Sequence, residues 1–381
     1  MVSLYIHIPF CAQKCEYCNF YVIAGSHVTQ KLIDEYVESL CVEITSWSQQ
    51  CTSQVKTIYF GGGTPSSLWL DRTLRILEHI RWVFDLSDIA EISYELNPDP
   101  FDLTYQLITV LPQKFIAPRW RFSIGIQTFD DEILRRAWRW YAYNNLKWFL
   151  RELRVIKQPH HCLNLDFIAF GMQRDAPRKV FFENMVASGT FDSFSLYMLE
   201  LFAWSKRHSY TIPHDPLMQQ LVNPDDDLVM QEWTYMHDII TQSYKRYEVS
   251  NYASPGRESI HNHVYRWYED YIGLWISASW MIGWIRYTNT QDIRAYLRHD
   301  WGWTSTILSE YDILYEQWML WLRTSQGVML QQYRSILRGD IDIYCDMLIR
   351  QWLVTITWDR IRLTDAGMNV ANHIIATTLI V

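Results

Sequence analysis

Six short runs of β-branched and aromatic residues, each followed by a segment with helical spacing, predict an α/β protein. The units repeat about every 35 residues, which predicts a parallel sheet wound into a full or partial barrel of the (β/α)6 kind. Beyond about residue 205 the pattern changes to helices, and a hairpin close to the end gives the C-terminal domain a winged-helix-like finish.

The strand-like runs are LYIHIPF (4–10), VKTIYF (55–60), EISYEL (91–96), RFSIGIQ (121–127), LNLDFIAF (163–170) and DSFSLYML (192–199). Between the first two, Leu32, Ile33, Tyr36, Val37, Leu40 and Ile44 fall on one helical face. Leu74, Ile76, Leu77, Ile80 and Val83 mark the next helix, and residues 133–156 bridge the fourth and fifth strands. NPDDD (223–227) supplies acidic residues to a helix N-terminus. Helices are expected at 310–323, 330–337 and 341–352, then a strand pair within 353–364 and a last helix. The expected division is a barrel over 1–210, a connecting region over 211–290 and a helical domain over 291–381. Residues 331–381 hold five Arg and five Asp with no Lys or Glu, so this module reads as a structural cap rather than a basic DNA-binding wing.

The chain of 381 residues is 49% apolar and 20% charged, as in an ordinary globular enzyme. A net charge of −8 argues against non-specific affinity for nucleic acid or an anionic membrane. No apolar run approaches the ~18 residues that span a bilayer. The N-terminus lacks the features of a signal peptide, so a cytoplasmic location is expected. Seven cysteines, an odd number spread over the chain, do not form a disulfide framework.

Three of those cysteines stand together in PFCAQKCEYCNFY, at Cys11, Cys15 and Cys18. Cys41, Cys51, Cys162 and Cys345 stand singly. A structural zinc usually takes four ligands in two separated pairs, and here only His7 could serve as the fourth. A [4Fe–4S] cluster with three protein thiolates, whose fourth iron is open to a small molecule, is the better reading. In a parallel barrel active sites gather at the C-terminal ends of the strands, where this loop and GGGTPS (61–66) both lie. Gly61, Gly62 and Gly63 allow a backbone to approach a ligand more closely than side chains would permit.

These features resemble the radical S-adenosylmethionine superfamily. LYIHIPFCAQKCEYCNFY, IYFGGGTPSSL, ELNP, FSIGIQTFDDEIL, NLDFI, SLYML, YEVSNYA and HN..Y look more narrowly like the branch holding oxygen-independent coproporphyrinogen III oxidases and haem chaperones. The resemblance runs in order over nearly the whole chain. It implies a cluster on Cys11, Cys15 and Cys18, with S-adenosylmethionine chelating the open iron. It also implies that Gly62, Gly63, Thr64, Glu95, Gln127, Arg139 and Asp166 form the cofactor pocket, with Tyr17 packing on adenine or cluster. Arg139 suits a carboxylate through its planar fork. Tyr5 and His7 are weaker candidates for the same cavity.

Two features favour the chaperone side of the branch: Phe20 stands where the oxidases have a further cysteine, and HNHVYRW carries most of a haem-associated motif. The resemblance therefore implies haem as a ligand, with His261 as axial ligand and His263 as fallback, a haem-acceptor protein, and a reductant such as flavodoxin or ferredoxin. The chain departs from the family at several sites. Trp138, Trp204, Trp275, Trp321 and Trp352 stand where glycine is usual, Tyr141 and Ser279 replace histidines, and Arg266 takes the place of the motif's Trp. A tryptophan forced to φ > 0 costs about 1–3 kcal/mol.

Overall fold

Alternation along the strands fixes where each side chain goes. In the computed structural model the described residues are 1–379 except 16, 19, 137, 138, 140, 172–174 and 200–224; Trp138, Trp204 and the start of NPDDD therefore lie outside them. Six parallel strands appear where the sequence expects them: β1 (Val2–Ile8), β2 (Val55–Gly62), β3 (Glu91–Leu96), β4 (Trp120–Gln127), β5 (His161–Ala169) and β6 (Ser193–Met198). Leu4, Ile6 and Ile8, Ile58 and Phe60, Phe122 and Ile124, and Leu163 and Leu165 enter the main apolar core. The intervening positions are Ser3, Tyr5, His7, Thr57, Tyr59, Ser93, Glu95, Arg121, Ser123, Asn164, Asp166 and Ser195, and they form the opposite, interior face.

Helices α1 (Gln30–Gln50), α2 (Trp69–Val83), α3 (Phe101–Lys114), α4 (Tyr143–Ile156) and α5 (Ala176–Ala187) make the crossovers. The Thr29 hydroxyl accepts from Leu32 N to cap α1, whose Ile33, Tyr36, Val37, Leu40 and Ile44 are buried. Asp225 caps α6 (Asp226–Thr241), as the acidic run predicts. No helix among the described residues is long and apolar enough to cross a membrane.

The sheet extends well past six strands. Beyond β6 it adds β7 (Lys245–Glu248) and β8 (Asn251–Ala253); beyond β1 it adds β9 (Tyr271–Leu274), β10 (Ser279–Ile282), β11 (Ile285–Thr288) and β12 (Thr304–Ile307). The order is β12-β11-β10-β9-β1-β2-β3-β4-β5-β6-β8-β7. Residues assigned by sequence to a connecting region are thus strands of the same sheet, and the main core reaches Tyr296. Between them lies α7 (Ile260–Arg266), which carries the HN..Y motif.

A second core surrounds Trp318, Leu322, Ile361 and Ile374. It joins α8 (Glu310–Trp321), α9 (Ile341–Arg350), α10 (Ala371–Thr378) and a sheet of β13 (Val328–Met329), β14 (Val354–Thr357) and β15 (Arg360–Leu363). The hairpin β14–β15 is where the sequence places it. The helix expected over 330–337 is instead one 3-10 turn, Leu330–Tyr333, because β13 pairs with β15 immediately before it. Asp365 ties this core to the barrel, accepting from Arg246 at 2.9 Å and lying 2.6 Å from His237 Nε2.

Several tryptophans occupy glycine's backbone conformation. Trp275 (φ 97°), Trp284 (φ 70°), Trp352 (φ 59°), Trp358 (φ 52°) and Trp69 (φ 61°) are all left-handed. Trp352 sits just beyond the end of α9, with its N–H on Ile349 O and Leu353 N–H on Leu348 O. That arrangement is a Schellman turn, in which glycine is the default. Trp284 follows Gly283 (φ 53°), and Trp358 precedes Asp359 (φ 64°), in two-residue hairpin loops of the doubly left-handed type. Trp321 differs, being the last residue of α8.

Candidate functional site

One cavity of about 930 Å³ collects most of the residues singled out by sequence. The cysteine loop forms one wall. All three thiols are free, partly buried and face the cavity. Short pairing of Phe10–Cys11 with Ile23–Ala24 closes the loop on itself, and Gly25 N reaches back to Ala12 O at 3.1 Å.

The glycine run fits against this loop with no room to spare. The first two glycines belong to β2 rather than to a loop after it. At Gly63 a Cβ would lie 2.9 Å from Ile8 O and 3.0 Å from Cys11 Sγ; at Gly62, with φ 112°, it would lie 2.5 Å from the His7 ring. Only glycine lets this backbone pass beside the thiol. Gly63 N donates to Ile8 O at 2.7 Å and Thr64 N to Phe10 O at 2.9 Å, which locks the two segments together. Thr64 Oγ1 stands 3.4 Å from Cys11 Sγ and accepts from Asn97 Nδ2 at 3.1 Å.

Arg139 is brought to the same place. Its guanidinium donates to Asn97 Oδ1 and, at 3.1 Å, to the Tyr17 hydroxyl. Tyr17 in turn packs edge-on against Phe170. Glu95 accepts from Tyr59 Oη at 2.6 Å and from Gly62 N at 3.0 Å. Asp166 accepts from Ser123 Oγ at 2.9 Å and Asn164 Nδ2 at 2.7 Å. Burial pushes the Glu95 carboxyl up to about 7, with the Tyr59 hydrogen bond opposing, and raises that of Asp166. Gln127 lines the cavity in the left-handed region, φ 66°.

Three expectations do not fit. Tyr5 does not reach the cavity: its hydroxyl bonds His7 Nδ1 at 3.0 Å, and Tyr59 lines the wall instead. His7 is equally engaged, its Nε2 lying 3.2 Å from Tyr21 O and its ring stacked on Trp275 at 5.7 Å, so it is placed to hold neither zinc nor cofactor. His261 is fully buried at the start of α7, with Nδ1 2.6 Å from Thr57 Oγ1 and Nε2 2.7 Å from Tyr265 Oη. Both ring nitrogens are occupied, and burial lowers its pKa to about 3. This imidazole is a structural group, not an open axial ligand. His263 is partly exposed and stacks on Trp267 at 4.7 Å; it too lies outside the cavity lining, whereas its neighbour Asn262 is within it. Among the described histidines His373, on α10, is the one that lines the cavity.

The sequence reading missed Asn97, which links Thr64 to Arg139, and the polar interior row of Tyr59, Arg121, Ser123, Asn164 and Ser195. A signal for them exists. Parallel strands buried on both faces ordinarily read as near-continuous apolar runs, so strict alternation in a buried strand marks an interior built for polar work.

The cysteines fit an iron–sulfur cluster by their chemistry. Cys11 is raised by burial to about 11 and Cys18 is raised as well. Such thiols stay protonated until a metal displaces the proton. Among the described residues no three His, Cys, Asp or Glu converge on a single metal point.

The chain is similar to known proteins. The Radical SAM superfamily sequence model matches residues 5–171. Heme chaperone HemW of Escherichia coli is 31% identical over 287 residues, covering 73% of this chain and 69% of that protein. The chain belongs to the HemW family of radical SAM proteins. HemW of Lactococcus lactis is 29% identical over 382 residues, covering 98% of this chain and 96% of its own. HemW of Bacillus subtilis is 28% identical over 392 residues, with 100% and 99% covered. Among solved structures the Escherichia coli coproporphyrinogen III oxidase HemN superposes with a TM-score of 0.74 at 21% identity, covering 99% of this chain and 89% of that one. That likeness shows the shared fold, a radical SAM barrel with its C-terminal module. Membership of the superfamily implies S-adenosylmethionine and a [4Fe–4S] cluster.

Proposed function

We propose that the chain is a haem chaperone, binding haem in the same cavity as the cluster and S-adenosylmethionine, and passing haem to an acceptor protein. The observation that carries this reading is the mixed lining of one cavity, in which Cys11, Cys15, Cys18, Thr64 and Arg139 share the wall with Trp233, Val249, Met368, Val370 and the His373 imidazole. A planar, largely apolar ligand that takes an imidazole partner suits the apolar part of that lining.

In this reading Cys11, Cys15 and Cys18 would hold the cluster, which would supply one electron to the sulfonium of S-adenosylmethionine. Gly62, Gly63 and Thr64 present backbone to the methionine group, and Arg139 takes its carboxylate. Glu95, Gln127 and Asp166 meet the ribose, while Tyr17 covers the adenine or cluster. An external reductant such as flavodoxin or ferredoxin, and a cytoplasmic setting, complete the proposal.

Phe20, in place of a further cysteine, favours the chaperone over the oxidase. The test is anaerobic reconstitution followed by absorbance titration with haem and with coproporphyrinogen III. A Soret band that shifts in His373→Ala but not in His261→Ala is expected. Conversion of coproporphyrinogen III to protoporphyrinogen IX at several turnovers per minute would replace this reading with the oxidase.

A further inference from the structure

Three guanidinium groups line the cavity, and two of them are hydrogen-bonded. Arg139 is bonded to Asn97 and Tyr17, and Arg246 to Asp365, Asn369 and Val249 O. Arg121 is 2% exposed, yet it makes no hydrogen bond or ion pair among the described residues, and its Nε is buried without a partner. Leaving a buried donor unpaired costs about 1–3 kcal/mol, and more when it is charged. In a native chain such a group is completed by an ordered water, an ion or a ligand.

The neighbouring acids Glu91, Glu95 and Asp166 feel its charge but make no hydrogen bond to it. Glu91 accepts from Arg119 at 3.4 Å and from the backbone of Ile260 and His261 at 3.1 Å each. Glu95 and Asp166 have the partners given above, and both are shifted toward the neutral form by burial. Tyr59 donates to Glu95, and Tyr247 stands near without a bond to Arg121. Other interior atoms are orphaned beside it: Asn164 Oδ1 and Ser193 Oγ on β5 and β6. Arg121 precedes Ser123 by two residues on the same face of β4, so its Cα lies about 7 Å nearer the start of the strand than that of Ser123.

We propose that Arg121 anchors a carboxylate arm of the ligand that shares the cavity, which on the haem reading above is a propionate of the tetrapyrrole. A guanidinium presents two parallel N–H groups matched to the two oxygens of a carboxylate, and in a buried site this pairing replaces the missing partners at once.

The test uses the full-length protein, with haem and haem dimethyl ester as probes, titrated by absorbance into the unaltered chain, Arg121→Gln and Arg121→Lys. The Gln variant should bind haem about ten- to hundredfold more weakly, as for a lost charged hydrogen bond, and the Lys variant should lose less. Both should bind the dimethyl ester as the unaltered chain does, with S-adenosylmethionine binding retained. Equal weakening of haem and ester, or undiminished haem affinity in Arg121→Gln, overturns the anchor while leaving the haem reading in place. An unaltered chain that binds neither haem nor ester overturns the haem reading, and the anchor falls with it.

Discussion

The cysteine loop and the HN..Y segment bear equally suggestive motifs, but the fold treats them in opposite ways. Around the loop, backbone bonds from Gly63 and Thr64 hold the chain open so that three thiols face a cavity, Cys11 keeping a long contact of 3.4 Å to Thr64 Oγ1. Around α7, Thr57 and Tyr265 close on the His261 ring, and Glu91 holds the helix start. A reactive side chain is one left without partners by its surroundings, whatever its motif.

The largest effect should separate the two regions outright. Replacing Cys11, Cys15 or Cys18 with Ala should abolish the cluster in reconstituted protein, read as lost iron and sulfide, whereas Cys41→Ala and Cys345→Ala, both buried in helices, should keep it. Stoichiometric zinc in place of iron would break the comparison from the other side.

His261→Ala should act on stability instead. Losing two buried hydrogen bonds and opening a cavity should cost about 2–4 kcal/mol in chemical denaturation. The ring's folded pKa of about 3 lies below its ordinary 6.5. Its contribution is therefore complete above 6.5 and is lost as pH falls toward 3. Between those values the variant's stability should fall less steeply with acid, by up to about 1.4 kcal/mol per pH unit. An unchanged acid limb would mean the ring is solvated.

A smaller change is expected at the cofactor. Arg139→Ala should weaken S-adenosylmethionine binding by roughly 1.5–3 kcal/mol with the cluster intact. Calorimetry showing equal affinity would reassign the residue.

The smallest effect lies far from both regions. Trp352→Gly and Trp358→Gly should each raise stability by about 1 kcal/mol, measured as Tm, because the left-handed strain exceeds the added chain entropy. A lower Tm would show that these exposed rings contribute packing.

The strands and the cysteine loop were legible because their signals are local: period-two runs, helical faces and one tight spacing. Asn97 and Arg121 were not, since a lone polar residue in ELNP or RFSIGIQ acquires meaning only once both faces of its strand are known to be buried. Strands β9 to β12 were hidden for another reason. They are four residues each; β9 pairs with β1 across most of the chain, and β10 to β12 follow it as short antiparallel neighbours with no long period-two run to announce them. His261 was misread because an imidazole in a motif and an imidazole in a core look alike until its neighbours are in place.

The left-handed tryptophans have a consequence in the language of the gene. Tryptophan shares its codon family with UGA, which different decoding systems read as stop, as tryptophan or as glycine. A gene that spells positions such as 275, 284, 352 and 358 with UGA, decoded as glycine, yields a chain with relaxed turns from the same DNA. Peptide mass spectrometry of the protein made in its own host reads that choice directly, and Trp275, packed on the His7 ring behind the glycine run, is the position at which it would also reshape the wall beside the cluster loop.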